Sequence, residues 1–185
     1  KRVKEGTSCL LDQSGLSYGY WPAAMRCFCA QHNFSFKNEE KSSVFYGKTP
    51  YEAKFGVKFD GLHIPFGALV EWLPSGPELK AETRKFGKKT RKGIFMGYKL
   101  HAGGSWPNHD LVLDVDKFTN TSVNKKCFMF AVQEVYKLPT LSFPVADQTV
   151  RPMAPKTAGD YSIEDDTDEI HSLLQDMLAL SLSIS

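Results

Sequence analysis

The spacing of apolar residues changes near residue 60, and this change restricts the possible folds more than any other feature of the chain. Before it, apolar residues recur at helical intervals, which predicts helices at 1–14, 18–34 and 50–55. After it, short apolar runs separated by Gly- and Pro-containing connections predict strands at 66–73, 93–98, 111–116 and 127–132. We therefore expect an α+β chain whose strands form a small antiparallel barrel or sandwich.

The net charge of +2 conceals an asymmetry between the two ends of the chain. Residues 1–150 contain 21 basic and 14 acidic residues, whereas residues 151–185 contain two basic and seven acidic residues. A basic body followed by an acidic tail suggests a polyanion-binding domain with a separate interaction segment.

The strongest basic signal is the run 80–92, which has seven basic residues and one acid and connects two predicted strands. One interpretation is contact with nucleic-acid phosphates, which depends strongly on salt and not on base sequence. The alternative is a solvated loop rich in lysine. The candidate phosphate contacts are Lys85, Lys88, Lys89, Arg91 and Lys92.

Two tryptophans could stack on exposed bases. Trp72 lies in an apolar run, so we expect it in the core. Trp106 lies in a Gly-rich loop with Pro107 and His109, where base stacking and packing are both open. We include Trp106 among the candidate nucleic-acid contacts.

No catalytic or metal-binding constellation is evident. His101, His109 and Asp110 have no spacing that matches a closed metal site, so a polar loop is the simpler interpretation. Ser8, Cys9 and His32 could suggest a nucleophile and a base, but no nucleophile-elbow or oxyanion-hole motif surrounds them. We therefore expect neither a catalytic residue nor a metal ligand here.

The C-terminal region divides into two segments. Residues 138–160 include four prolines and are predicted to be a linker. Residues 161–185 form an acidic tail that is predicted to be disordered except for a short amphipathic helix. The apolar face of that helix could dock in a groove of a partner protein, or it could be a weak helix without a partner. This face carries Leu173, Leu174, Met177 and Leu178.

Targeting features predict an intracellular protein. No apolar run approaches the roughly 18 residues of a membrane span, and the charged N-terminus does not resemble a secretory signal. Four irregularly spaced cysteines suggest a reducing compartment. The chain begins without Met in an apparent helix, so we expect a fragment of a longer polypeptide.

Three segments in order resemble the integrase of copia-type retrotransposons, which is part of the Pol polyprotein. They are VKEGTSCLLDQSGLSYGYWPAAM (3–25), GKTPYEAKFG (47–56) and KKTRKGIFMGYKL (88–100). In addition, FGALVEWLP (66–74) lies where that family has a Phe-Gly strand. The resemblance covers about residues 1–118, and the order and spacing of the segments agree with the family.

This resemblance implies a division into domains. Residues 1–60 would be the C-terminal helices of a truncated RNase H-like core, and residues 61–137 a small SH3-like β-barrel that binds nucleic acid. The implied partners are DNA, in the nucleus, and further integrase subunits in a homo-oligomer. The alternative is a non-enzymatic interaction module, a co-opted element remnant with a basic β surface and an acidic recruitment helix.

The resemblance also implies that this piece is inactive alone. The family's catalytic Asp, Asp and Glu bind two divalent metal ions, Mg or Mn, in the full integrase. By register those acids lie upstream of Lys1, and Glu5 corresponds to a later, non-catalytic acid of the same helix. We therefore expect no catalytic residue and no cofactor in this fragment, and a stand-alone enzyme is the least supported interpretation.

Overall fold

The computed structural model describes residues 1–75, 88–120 and 127–152. In these ranges the chain is a mixed α+β structure. Its helices are α1 (Arg2–Ser14), a 3-10 turn (Tyr18–Tyr20), α2 (Trp21–Ser35), α3 (Pro50–Phe55) and α4 (Val115–Thr119). Its strands are β1 (Leu69–Trp72), β2 (Arg91–Tyr98), β3 (Asp110–Asp114), β4 (Met129–Val132) and β5 (Val135–Lys137).

The N-terminus of α3 shows how local sequence sets a helix boundary. The Thr49 hydroxyl accepts a hydrogen bond from the Glu52 backbone N–H at 3.1 Å, and Pro50 occupies the first turn, where no N–H donor is needed. The observed helix, Pro50–Phe55, confirms the prediction of a helix at 50–55.

The strands form one antiparallel sheet in the order β4-β3-β2-β1-β5, and the described strands do not close it into a barrel. Strands β4 and β5 lie at opposite edges of this sheet although only Gln133 and Glu134 separate them along the chain. A two-residue connection reaches both edges only if the sheet bends strongly. The expected antiparallel sheet is confirmed at this level.

Helix α2 packs closely against β2. The ladder between β2 and β3 shifts register between Phe95 and Gly97, and Gly97 has a φ of 120°. A Cβ atom at Gly97 would lie 3.1 Å from the Cβ of Cys27 on α2. Glycine thus permits both the backbone conformation and the close contact between helix and sheet.

The helices and the sheet share one hydrophobic core. Ala24 and Cys27 of α2 are buried with Ile94 and Phe95 of β2, and Phe66 before β1 is fully buried. The predicted boundary near residue 60 therefore separates two kinds of secondary structure whose side chains pack together.

Two elements differ from the sequence-based expectation. The run predicted as a strand to residue 116 leaves the sheet at Asp114, because the Asp114 carboxylate caps α4 by accepting hydrogen bonds from the Asp116 and Lys117 N–H groups. Strand β5 was not predicted, because three residues are too short a run to show alternation.

The described part of the predicted linker packs against the body of the protein. Phe143 and Val145 are partly buried against the core, and the Leu69 N–H donates to the Ser142 carbonyl at 2.9 Å. Residues 153–185, with the predicted tail helix, lie outside the described residues. None of the described helices is both long and apolar enough to span a membrane.

Candidate nucleic-acid interface

A row of side chains crosses the exposed face of the sheet where β2 begins. In the strand register Glu71 of β1 lies opposite Lys92 of β2 and also opposite Tyr136 of β5. Directly paired residues of neighbouring antiparallel strands point to the same face. Lys92 and Tyr136 are exposed, so this face presents a cation, a carboxylate and an aromatic ring in sequence.

Lys88 lies close to this row through an ion pair. Its Nζ is 2.5 Å from Oε1 of Glu71, and the Thr90 hydroxyl donates to Oε2 of the same carboxylate at 3.0 Å. The hydrogen bond from Lys88, followed by that from Thr90, lowers the pKa of Glu71. The Lys88 side chain is 65% exposed, so the pair is well solvated and contributes little stability. A phosphate can therefore compete with Glu71 for this lysine.

Arg91 has a different position from its lysine neighbours. Its Nε is 2.7 Å from Oδ2 of Asp114, and its Nη2 is 3.6 Å from Oδ2 of Asp116. The Asp114 side chain is fully buried, whereas that of Arg91 is 16% exposed. The guanidinium thus neutralises a buried carboxylate, which reduces its availability to phosphate.

The structure therefore places four of the five predicted phosphate contacts, in three kinds of environment. Lys89 and Lys92 are exposed, Lys88 is exposed and paired with Glu71, and Arg91 is paired with the buried Asp114. Lys85 lies outside the described residues.

Strand β5 adds one candidate contact, Tyr136, that the sequence reasoning missed. Tyr136 is 46% exposed, and its hydroxyl donates to Oε2 of Glu134 at 2.6 Å. The next residue, Lys137, is exposed as well. Lys137 pairs with the buried Val70 and so points to the opposite face, whereas Tyr136 lies next to Glu71. An exposed aromatic ring on this face is suited to stacking on an unpaired base. The run Val135–Lys137 alternates too briefly to have revealed this.

The two tryptophans have different environments. Trp72 is fully buried and stacks on Phe130 with ring centroids 5.4 Å apart, which confirms the predicted core position. Trp106 is half-buried, and its indole N–H donates to the His109 carbonyl at 2.9 Å. Its ring packs on Phe59 at 4.9 Å, so Trp106 is held among aromatic side chains and is not part of the Glu71 row.

The polar residues that might suggest other chemistry are not assembled into a centre. Across residues 1–75, 88–120 and 127–152, no three His, Cys, Asp or Glu side chains are grouped so as to hold a metal ion. Burial raises the pKa of the Cys27 thiol well above its usual range, so this thiol is unreactive.

The chain matches no protein-family model, no curated protein and no solved structure. Its function must therefore be inferred from its own residues and their geometry.

Proposed function

We propose that the chain is the non-catalytic, DNA-backbone-binding part of a copia-type integrase. It would comprise the end of an RNase H-like core, an SH3-like module and an acidic tail. The observation that carries the proposal is the group of exposed lysines Lys88, Lys89 and Lys92 where β2 begins. In sequence this group continues the basic run that contains Lys80, Arg84 and Lys85.

The positions of the family-like segments support the assignment. The segment 3–25 covers α1 and the start of α2, the segment 47–56 contains α3, and the segment 88–100 contains β2. Each segment thus corresponds to a defined structural element. The strong bend of the five-stranded sheet is compatible with an SH3-like arrangement.

The lysines would act by neutralising phosphates and releasing condensed counterions, which provides affinity without reading the bases. Tyr136 would contribute where a DNA end is unpaired. DNA joining would be performed by acids and divalent metal ions upstream in the full integrase, within an oligomer acting in the nucleus. The tail residues Leu173, Leu174, Met177 and Leu178 would contact a protein partner.

The test is binding of the purified chain to a short non-specific DNA duplex across a salt series. We compare the wild type with Lys89→Ala/Lys92→Ala and with a control, Lys37→Ala/Lys41→Ala, which removes two exposed lysines from the helical half. Each lost phosphate contact should reduce the log–log salt slope by about 0.9. We therefore expect the first variant to have a slope shallower by about 2 and the control to match the wild type.

Equal slopes for all three proteins would refute the proposed interface. An equal loss in both variants would mean that binding follows net charge and not the positions of Lys89 and Lys92. Lys88 is excluded from the variant because its removal would also leave Glu71 without its ion pair.

A further inference from the structure

A cleft separate from the lysines opens between the segment 60–62, the loop 106–110 and the connection from β4 to β5. Its volume is about 450 Å³, within the range of sites that bind small ligands or single side chains. Its apolar walls include Leu62 and Val135, and Trp106 is a further wall. Its polar lining consists of Asp60, Asn108, Asp110 and Gln133.

Asp110 is the unusual member of this lining. It is only 5% exposed, and its Oδ1 atom is buried without a hydrogen-bond partner among the described residues. Burial is the main cause that raises the pKa of Asp110, to about 6, while Trp106 and His109 partly offset it. At neutral pH the cleft thus contains a buried, mostly ionised carboxylate.

The groups described around Asp110 stabilise its charge only in part. The ring nitrogen Nδ1 of His109 lies 2.8 Å from the Pro107 carbonyl oxygen, to which it donates. Within residues 1–75, 88–120 and 127–152, no lysine or arginine lines the cleft, and neither Asp60 nor Asp110 forms an ion pair. Asp110 receives a hydrogen bond from Trp106, but its buried Oδ1 has no hydrogen-bond partner among the described residues. A buried carboxylate that is only partly compensated is unfavourable, so the cleft is electrostatically complementary to an incoming cation.

The remaining lining indicates what kind of cation fits. Two carboxylates repel phosphate, so the cleft is not an extension of a DNA-binding surface. A divalent ion prefers a cage of oxygen ligands, whereas Leu62, Val135 and Trp106 supply apolar walls. Apolar walls around an anionic floor suit a cation on an aliphatic stem, because the stem packs against the walls while the charged end reaches the carboxylate.

We propose that this cleft binds the side chain of a lysine presented by a basic peptide segment of a partner protein. The ammonium group approaches Asp110 at the floor and Asp60 at the rim, and the methylene stem packs between Leu62 and Val135. Arginine fits less well, because its planar guanidinium is best matched by two free oxygens of one carboxylate, and one Asp110 oxygen is buried.

The experiment titrates the full chain with three short blocked peptides that differ only at the central residue: lysine, Nε-acetyl-lysine or arginine. The readout is the NMR signal of the Trp106 indole N–H, which borders the cleft. We expect the lysine peptide to shift this signal saturably. The acetylated peptide, which has lost the positive charge, should not bind, and the arginine peptide should bind several-fold more weakly.

Variants test the roles of the two carboxylates. Asp110→Asn keeps the shape and removes the charge, so it should weaken binding of the lysine peptide by about 10- to 100-fold. Asp60→Asn removes an exposed charge and should weaken it by about two- to fivefold. Asp12→Asn, an equally conservative change of an exposed acid on α1, should leave binding unchanged.

Several outcomes would overturn the proposal. These are equal binding of the lysine and acetyl-lysine peptides, wild-type affinity in a folded Asp110→Asn protein, and displacement of the lysine peptide by millimolar Mg²⁺. If Asp110→Asn does not fold, the peptide comparison and Asp60→Asn decide the question. The outcome of the peptide titration is independent of the DNA titration, because Lys88, Lys89 and Lys92 do not line the cleft.

Discussion

Arg91 shows that neighbouring basic residues in one sequence run can have unrelated tasks. Lys89 and Lys92 extend into solvent, whereas the Arg91 guanidinium lies 2.7 Å from the buried carboxylate of Asp114. Asp114 also caps α4 through the Asp116 and Lys117 N–H groups. The arginine therefore stabilises the point where the chain leaves β3 and begins a helix.

We expect Arg91→Ala to destabilise the fold by about 3–5 kcal/mol, because it leaves the Asp114 carboxylate buried without its cation. The neighbouring exposed variant Lys92→Ala should change the unfolding free energy by no more than about 0.5 kcal/mol. Urea unfolding followed by circular dichroism measures both. Equal stability of the two variants would show that the Arg91–Asp114 pair is not structural.

At the scale of elements, the contact between α2 and β2 depends on Gly97. Its φ of 120° is unfavourable for residues with a side chain. A Cβ atom added at Gly97 would also lie only 3.1 Å from the Cβ of Cys27. Gly103 provides a comparison, because its φ is 89° but no atom lies within 4 Å of the place that a Cβ would occupy there.

We expect Gly97→Ala to destabilise the protein by about 2–4 kcal/mol, because the free-energy cost of backbone strain adds to the cost of displacing α2. Gly103→Ala should cost only about 1 kcal/mol, since it has the strain without the clash. Thermal unfolding of both variants measures the difference. An equal loss of stability would indicate that α2 moves freely away from β2.

The elements that the sequence predicted are those whose signals are local. Thr49 and Pro50 define the start of α3 within a few residues, and the apolar run of β2 is long. Strand β5 pairs with the distant β1, and α4 begins at Val115 after its cap Asp114, whose carboxylate Arg91 neutralises from another strand. Neither β1 nor Arg91 lies within the few residues around the element that it stabilises, so a local sequence pattern does not show the pairing.

The same distinction applies to the candidate sites. The sequence identified Lys88, Lys89 and Lys92 by composition, but it did not reveal the Glu71 ion pair or place Tyr136 opposite Glu71. The cleft could not be predicted, because it joins segments far apart in sequence around one buried carboxylate.

At the scale of the whole molecule, the helical and β-rich halves have one core. Ala24 and Cys27 on α2 and Ile94 and Phe95 on β2 are all essentially inaccessible to solvent. Removing the sheet would expose the buried face of α2, so neither half has a complete core of its own.

We therefore expect the described body to unfold as a single unit. Amide hydrogen exchange in the centre of α2 and in β2 should give the same free energy of opening, and Gly97→Ala should lower both values equally. A lower value for α2 than for β2 would instead indicate two domains with a boundary near residue 60.

The placement of β5 has a consequence for synthesis on the ribosome. Val70 of β1 pairs with Lys137 of β5, so nearly the whole sheet is translated before its last ladder can form. Such distant pairing slows folding, because a long loop must be closed before the contacts stabilise it. Until then the edge of β1 that β5 will cover has unpaired backbone groups in the nascent chain, which makes it a place where another strand could pair wrongly.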